Sequence, residues 1–322
     1  MSRLLFALSL AVAAIPAHAS DPPKVFRYAF EIAETSFDPH RIADVYSNIA
    51  NCGMFDAPLT YDYLARPLKL KANTTALPEV NADGTIYTLH VTPGIYFVDD
   101  PAFGGKKREL VAQDFIYSIK RLLDPKVRAS QQAEIEPYVI GAEEAAARAR
   151  KSNHFDYDAP IEGFRVLDRY TFQVRLHKPN FIFIYNFADC RITCAVAREV
   201  AEKYGEDFGS HPVGTGPWKL VFWKRSSKMV FERNLAYREE YFDASPNADD
   251  PRAQEIFSQM KGKRLPAIDR VEVSIIEETQ PRWLSFLNEE MDLMFLIPEE
   301  FAYQAFPNNK IAPNLAKRGI AM

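Results

Sequence analysis

The sequence predicts an α/β chain, and three observations carry that expectation. Short segments whose apolar residues alternate with polar ones are interleaved with longer segments whose apolar residues recur every three or four positions. Turn-forming Gly, Pro, Asn and Asp separate the segments. The 322 residues are 47% hydrophobic and 25% charged, enough apolar side chain for a large core.

The elements follow in order. VFRYAF, from Val25, reads as a strand, and EIAETSFDPH after it as a polar loop. Ile42, Val45, Tyr46, Ile49 and Gly53 recur at helical spacing. The strand TIYTLHV is bracketed by turn chemistry, Asn81-Ala82-Asp83-Gly84 before it and Pro93-Gly94 after. LVAQDFIYSIKRLLDP carries one apolar stripe through Val111, Phe115, Ile119 and Leu122. Asp124-Pro125 ends it, because the residue before proline avoids the helical region. GAEEAAARARKS is a charged helix, and FRVLDRYTFQVRL a hairpin turning at Asp168-Arg169. AVAREVAEKYG is a helix that Gly205 can cap. WKLVFWK and KMVFERN are strands, residues 242–266 a polar excursion or connector, and DRVEVSII a strongly alternating strand. TQPRWLSFLNEEMDLMFL reads as a helix followed by a strand through Met294-Phe295-Leu296.

The first residues point to export. Arg3, an apolar run from Leu4 to Ile15, Pro16 and then Ala17-His18-Ala19 form the charged, hydrophobic and cleavage regions of a signal peptide, with cleavage after Ala19. The expected location is therefore periplasmic. An oxidising compartment permits a disulfide. Cys190 and Cys194 can pair if the chain turns between them; alternatively Cys52, Cys190 and Cys194 are all small core residues. The spacing does not suit zinc, and no metal or cofactor is expected.

A net charge of −4, without a basic stripe, sets nucleic acid aside as a partner. Val213-Gly214-Thr215-Gly216-Pro217-Trp218 invites a phosphate-loop reading but lacks GxxxxGK[ST], and is not a GxGxxG opening a helix. It reads instead as a tight turn entering a strand, its glycines serving unusual dihedrals or close backbone contact. Neither HExxH nor GxSxG occurs, so no catalytic residue is assigned. Glu289, Glu290 and Asp292 read as a solvated face.

The order of segments resembles the bacterial extracellular solute-binding proteins of family 5, the peptide-binding subunits of ABC importers. SFDPHRI, MFDAPLTYD, NADGTIYTLHVTPGIYF, VAQDFIYSIKRLLDP, VGTGPWKL with FERNLAYR, IDRVEVSII and LSFLNEEMDLMFL are each similar to a family segment, in order. NTTALPEV, and Asn288-Glu289 where the family favours Ser-Gly, depart from it. The resemblance implies a two-lobe, type II periplasmic-binding-protein architecture. It implies a first lobe from residues 20–63 and 179–268, a subdomain of it at 64–178, and a truncated second lobe begun at 269–322. It also implies a monomer without enzymatic activity that closes on a peptide or other small solute between the lobes and delivers it to a membrane permease.

On that reading two stretches are candidate ligand contacts. Glu34, Thr35, Ser36 and Phe37 follow a sheet strand, where open α/β sheets face their ligands, although capping by Asp38 is an alternative. Thr215, Gly216 and Trp218 either touch ligand or shape a turn and fill the core. Two other readings are a secreted hydrolase with dispersed catalytic residues and a fragment that binds nothing.

Overall fold

The computed structural model describes residues 22–321. The expected signal peptide and its cleavage after Ala19 lie outside the described residues. Strand β1 (Val25–Phe30) puts Phe26, Tyr28 and Phe30 on one face. A loop leads to helix α1 (Val45–Met54), capped where the Asp44 carboxylate accepts from the Ser47 N–H. Strands β2 (Leu59–Tyr61) and β3 (Leu70–Ala72) form a short hairpin. Next come β4 (Glu79–Val80), β5 (Ile86–His90), α2 (Ala112–Arg121), α3 (Ala142–Ser152), β6 (Phe164–Asp168) and β7 (Thr171–Arg175). Short helices α4 (Cys190–Thr193) and α5 (Arg198–Tyr204) precede β8 (Trp218–Lys224) and β9 (Lys228–Arg233). The chain continues through β10 (Glu240–Tyr241), α6 (Pro251–Met260), β11 (Arg264–Leu265), β12 (Arg270–Ile275), α7 (Thr279–Leu287), α8 (Glu299–Ala305) and α9 (Pro313–Ala316).

Two four-stranded sheets organise these elements. The first has the order β1-β12-β9-β8, with β1 and β12 parallel and the other pairs antiparallel. The second, β4-β5-β7-β6, is antiparallel throughout, and α2 packs on its β6 and β7 strands. One continuous core joins them: Phe30, Met54, Phe55 and Met229 from the first region and Leu89, Phe115, Phe172 and Val174 from the second all belong to it. A separate small core gathers Trp283, Ala305, Ala312 and Leu315, with Trp283 stacked on Phe301 at 5.4 Å.

Helices α2, α3 and α5 and the strands β5, β7, β8, β9 and β12 stand where periodicity places them. Gly205, at φ 53°, ends α5 with its N–H bonded to the Ala201 carbonyl. The structure corrects some of the other expectations. The buried face of α1 is Ser47, Ala50, Asn51 and Met54, whereas Val45 and Ile49 are exposed. Polar side chains that find partners displaced the apolar stripe from the inside. Within residues 242–266, Asp250 caps α6, which buries Ala253 against Leu64 and Ala244. Met294-Phe295-Leu296 is not a strand, and Phe295 and Leu296 are exposed. Cys190 bonds Cys52, not Cys194, because the fold sets α1 beside α4 with the two Cα atoms 5.8 Å apart; Cys194 is free and buried. Burial pushes the Cys194 thiol up.

Glu289 and Glu290 are exposed, as the sequence reading has it, and so is Asp292, which also holds a partner. Its carboxylate takes the Arg27 guanidinium on both oxygens and the Arg27 N–H at 2.7 Å, while its own N–H bonds the Arg27 carbonyl. Strand β12, placed by sequence at the head of a second lobe, lies inside the first sheet between β1 and β9. The change of core falls after β12.

Candidate functional site at the two ends of helix α1

The seven candidate residues fall into two groups, one at each end of α1. Ten helical residues separate those ends by about 15 Å. The structure therefore brings Glu34, Thr35, Ser36 and Phe37 together, and Thr215, Gly216 and Trp218 together, but does not merge the groups.

The C-terminal group is a backbone clamp. A Cβ on Gly214 would lie 2.1 Å from the Met54 carbonyl oxygen, and one on Gly216 2.7 Å from that of Gly53. Neither glycine has a positive φ, so close approach, not unusual dihedrals, explains both. The contact is hydrogen-bonded too: Gly216 N–H donates to Met54, and Val98 N–H donates to Gly214. Thr215 is buried, and its hydroxyl donates to Asp56 Oδ2 at 2.9 Å. Arg238 reaches the same oxygen at 2.8 Å. Asn234 closes the hairpin by donating to the Gly216 carbonyl. The side chains of Thr215, Asp56, Asn234 and Arg238 are all paired, which leaves little of them for a ligand. Trp218 differs. Half-buried, it touches Gly53 and walls an apolar cavity of about 230 Å³ with Phe26, Tyr28, Phe231 and Val271.

The N-terminal group sits beyond the carboxyl ends of the parallel strands β1 and β12, where open sheets of this kind leave a crevice. The Glu34 carboxylate is buried. Its Oε1 accepts the Trp223 indole N–H at 2.6 Å and the Ser226 N–H at 3.2 Å from the β8–β9 turn. Its Oε2 has no hydrogen-bond partner among the described residues. Thr35 is exposed, yet held: its N–H donates to the Ser47 hydroxyl and its own hydroxyl to Asp44. Burial raises the Asp44 carboxyl, and the Ser47 N–H and the hydroxyls of Thr35 and Ser47 outweigh it, so Asp44 titrates below the usual range. The Ser36 carbonyl accepts from Asn51, and Phe37 packs edge-on against Trp223 at 5.0 Å. Ile32, Val45 and Ile49 form exposed apolar surface beside this loop.

Behind the loop lies a buried ion pair that sequence reading missed. Arg121 makes two hydrogen bonds to Asp38 at 3.0 and 2.8 Å and one to His40 Nδ1 at 2.8 Å. Burial pulls Asp38 up, but the guanidinium overcomes it and holds the carboxyl low. Burial first, then Arg121, lowers His40 to about 3, so the ring is neutral and accepts at Nδ1. The partners stand 83 residues apart, beyond any local signal. Arg282 of α7 was also missed. Its guanidinium donates to the Ile276 and Glu277 carbonyls and pairs with Glu31 at 3.2 Å, tying β12 to β1 at the same end.

The comparisons with known proteins agree with this architecture. The fold is that of type II periplasmic binding proteins. A peptide complex of the periplasmic binding protein DppA from Helicobacter pylori matches with a TM-score of 0.66 at 20% identity, covering 88% of this chain and 49% of that one. OppA from Burkholderia pseudomallei matches with a TM-score of 0.67 at 18% identity, over 89% of this chain and 49% of its own. The model for "Bacterial extracellular solute-binding proteins, family 5 Middle" matches residues 69–320, and the chain belongs to that family, whose members are solute-binding proteins rather than enzymes. Relatives include di/tripeptide-binding protein 2 of Pseudomonas aeruginosa, 26% identical over 73% of this chain and 42% of its own length. The glutathione-binding protein GsiB of Salmonella typhi is 24% identical over 99% of this chain and 52% of its own. The chain spans about half the length of the relatives it matches.

Proposed function

We propose that this chain is the substrate-binding component of a periplasmic importer and takes a short peptide or a related small solute, handing it unaltered to a membrane permease. Three of the relatives are named for a di/tripeptide, glutathione or an oligopeptide, which supports a peptide-like cargo. The observation that carries the reading is the loop Glu34–Phe37 at the carboxyl ends of β1 and β12. Its backbone is fixed, Thr35 is presented to solvent, and one Glu34 oxygen is left without a partner. A second lobe, beginning after β12 where the separate core starts, would close over this loop about a hinge. Peptide backbone met by fixed polar groups is recognised with little regard to side chains. Among the described residues no helix is long and apolar enough to cross a membrane.

Trp223 lies against Glu34 and supplies the readout. Titration with di- and tripeptides and with glutathione is expected to change its fluorescence saturably, with matching calorimetric heats and no change in the peptide. The Thr35→Val variant is expected to weaken binding by roughly tenfold, the worth of one good polar contact. Steady peptide cleavage without a saturable complex would favour the hydrolase reading. Absence of any heat or fluorescence change would leave the non-binding reading standing.

A further inference from the structure

The Cys52–Cys190 disulfide lies in the wall of an open pocket of about 440 Å³ that Asn48 and Cys52 of α1 help to line. Cys52 is exposed and Cys190 half-buried. Asn48 and Gln131 add amide groups to the pocket, and Tyr61 and Tyr185 add two rings stacked at 6.4 Å. Amides and aromatic faces around a reachable disulfide suit a small thiol-bearing peptide: the amides meet its backbone, the rings cover its stem, and its sulfur is delivered to the bond.

We propose that this bond is an exchange site for thiol peptides. The incoming thiolate attacks Cys52 Sγ, the more exposed sulfur. A new S–S bond forms to Cys52 as the Cys52–Cys190 bond breaks, and Cys190 leaves as a thiolate that takes a proton from water. One disulfide is exchanged for another, so no outside oxidant or reductant enters. Reverse attack by Cys190 releases the peptide. Cys194 takes no part, being buried and outside the pocket lining. Because Asn51 and Ser47 of α1 hold the loop at Ser36 and Thr35, opening the covalent tie of α1 to α4 also loosens the proposed solute site. The exchange itself is independent of that function and is tested without reference to it.

The test uses the oxidised full chain and glutathione as the probe, quenched with acid and an alkylating agent, and read by intact mass and peptide mapping. The expected product carries one glutathionyl group on Cys52 and one newly alkylated thiol, Cys190. 2-Mercaptoethanol, which lacks the peptide, is expected to react roughly tenfold more slowly per thiolate, the equivalent of one good contact. Tyr185→Ala is expected to erase that preference. An adduct confined to Cys190, no adduct at all, or equal rates for the two thiols in the unaltered chain would overturn the proposal.

Discussion

The two ends of α1 are built from similar residues and do different work. At the C-terminal end, Thr215 and Arg238 both satisfy Asp56, and Asn234 satisfies the Gly216 carbonyl, beside two glycines pressed on the Met54 backbone. At the N-terminal end, Glu34 has a spare oxygen and Thr35 faces solvent. A saturated, buried polar cluster is a fastening. An incompletely satisfied one at a strand terminus is where a further partner fits. The contrast teaches that hydroxyl and carboxylate residues become candidate contacts only where the fold leaves capacity unused.

The largest effect should come from Gly214→Ala. The added carbon would press first on the Met54 backbone and then on the Phe55 ring, so denaturant titration should show a loss of about 3 kcal/mol or more, or no folded product. An ordinary melt for this variant would break the clamp reading. Next is Cys190→Ser, which removes a link spanning 138 residues; a loss of roughly 2–4 kcal/mol is expected, reproduced by chemical reduction of the unaltered chain. Acid should act on the other end. His40 titrates at about 3 when folded and near 6.5 when unfolded, so its contribution is complete above about pH 6.5. It is lost progressively as the pH falls toward 3, because the unfolded chain binds the extra proton. Asp38, held low by Arg121, loses its contribution in the same direction at lower pH. Unfolding midpoints against pH should slope by up to about 1.4 kcal/mol per unit over the histidine range, and His40→Gln should flatten that slope.

The comparison sharpens with a matched pair. Thr215→Val removes a donor from the buried Asp56 and should cost about 1–2 kcal/mol, with binding unchanged. Thr35→Val, at an exposed hydroxyl, should cost about 0.5 kcal/mol or less and fall chiefly on binding. The reverse ranking would exchange the roles of the two ends.

How much of this was legible in sequence depends on the range of the interactions. The hairpin β6–β7 and helices α2 and α5 follow from local spacing and turn residues, because period and turn chemistry are short-range properties. Placing Glu34, Thr35, Ser36 and Phe37 after a sheet strand was within reach for the same reason. The sequence reading failed where partners are distant. The stripe Val45–Ile49 has helical spacing, but spacing does not say which face the sheet covers. Cys190 had a near neighbour in Cys194, yet bonds Cys52. Asp292 is exposed, as expected, but nothing local announces its pairing with Arg27 of β1.

By itself, the sequence determined most segment types, their order and the family they belong to, because side-chain periodicity, turn residues and motif order are written along one dimension. Only the tertiary structure decided that Gly214 and Gly216 serve close contact, that Thr215 is spent on Asp56 while Thr35 is presented, and that the seven candidates form two groups. Those outcomes depend on which backbones and charges meet across 80 to 160 residues, as with Arg121 and Asp38 at 83 and Thr215 and Asp56 at 159. Such meetings are fixed by how the layers pack, and no local pattern records them.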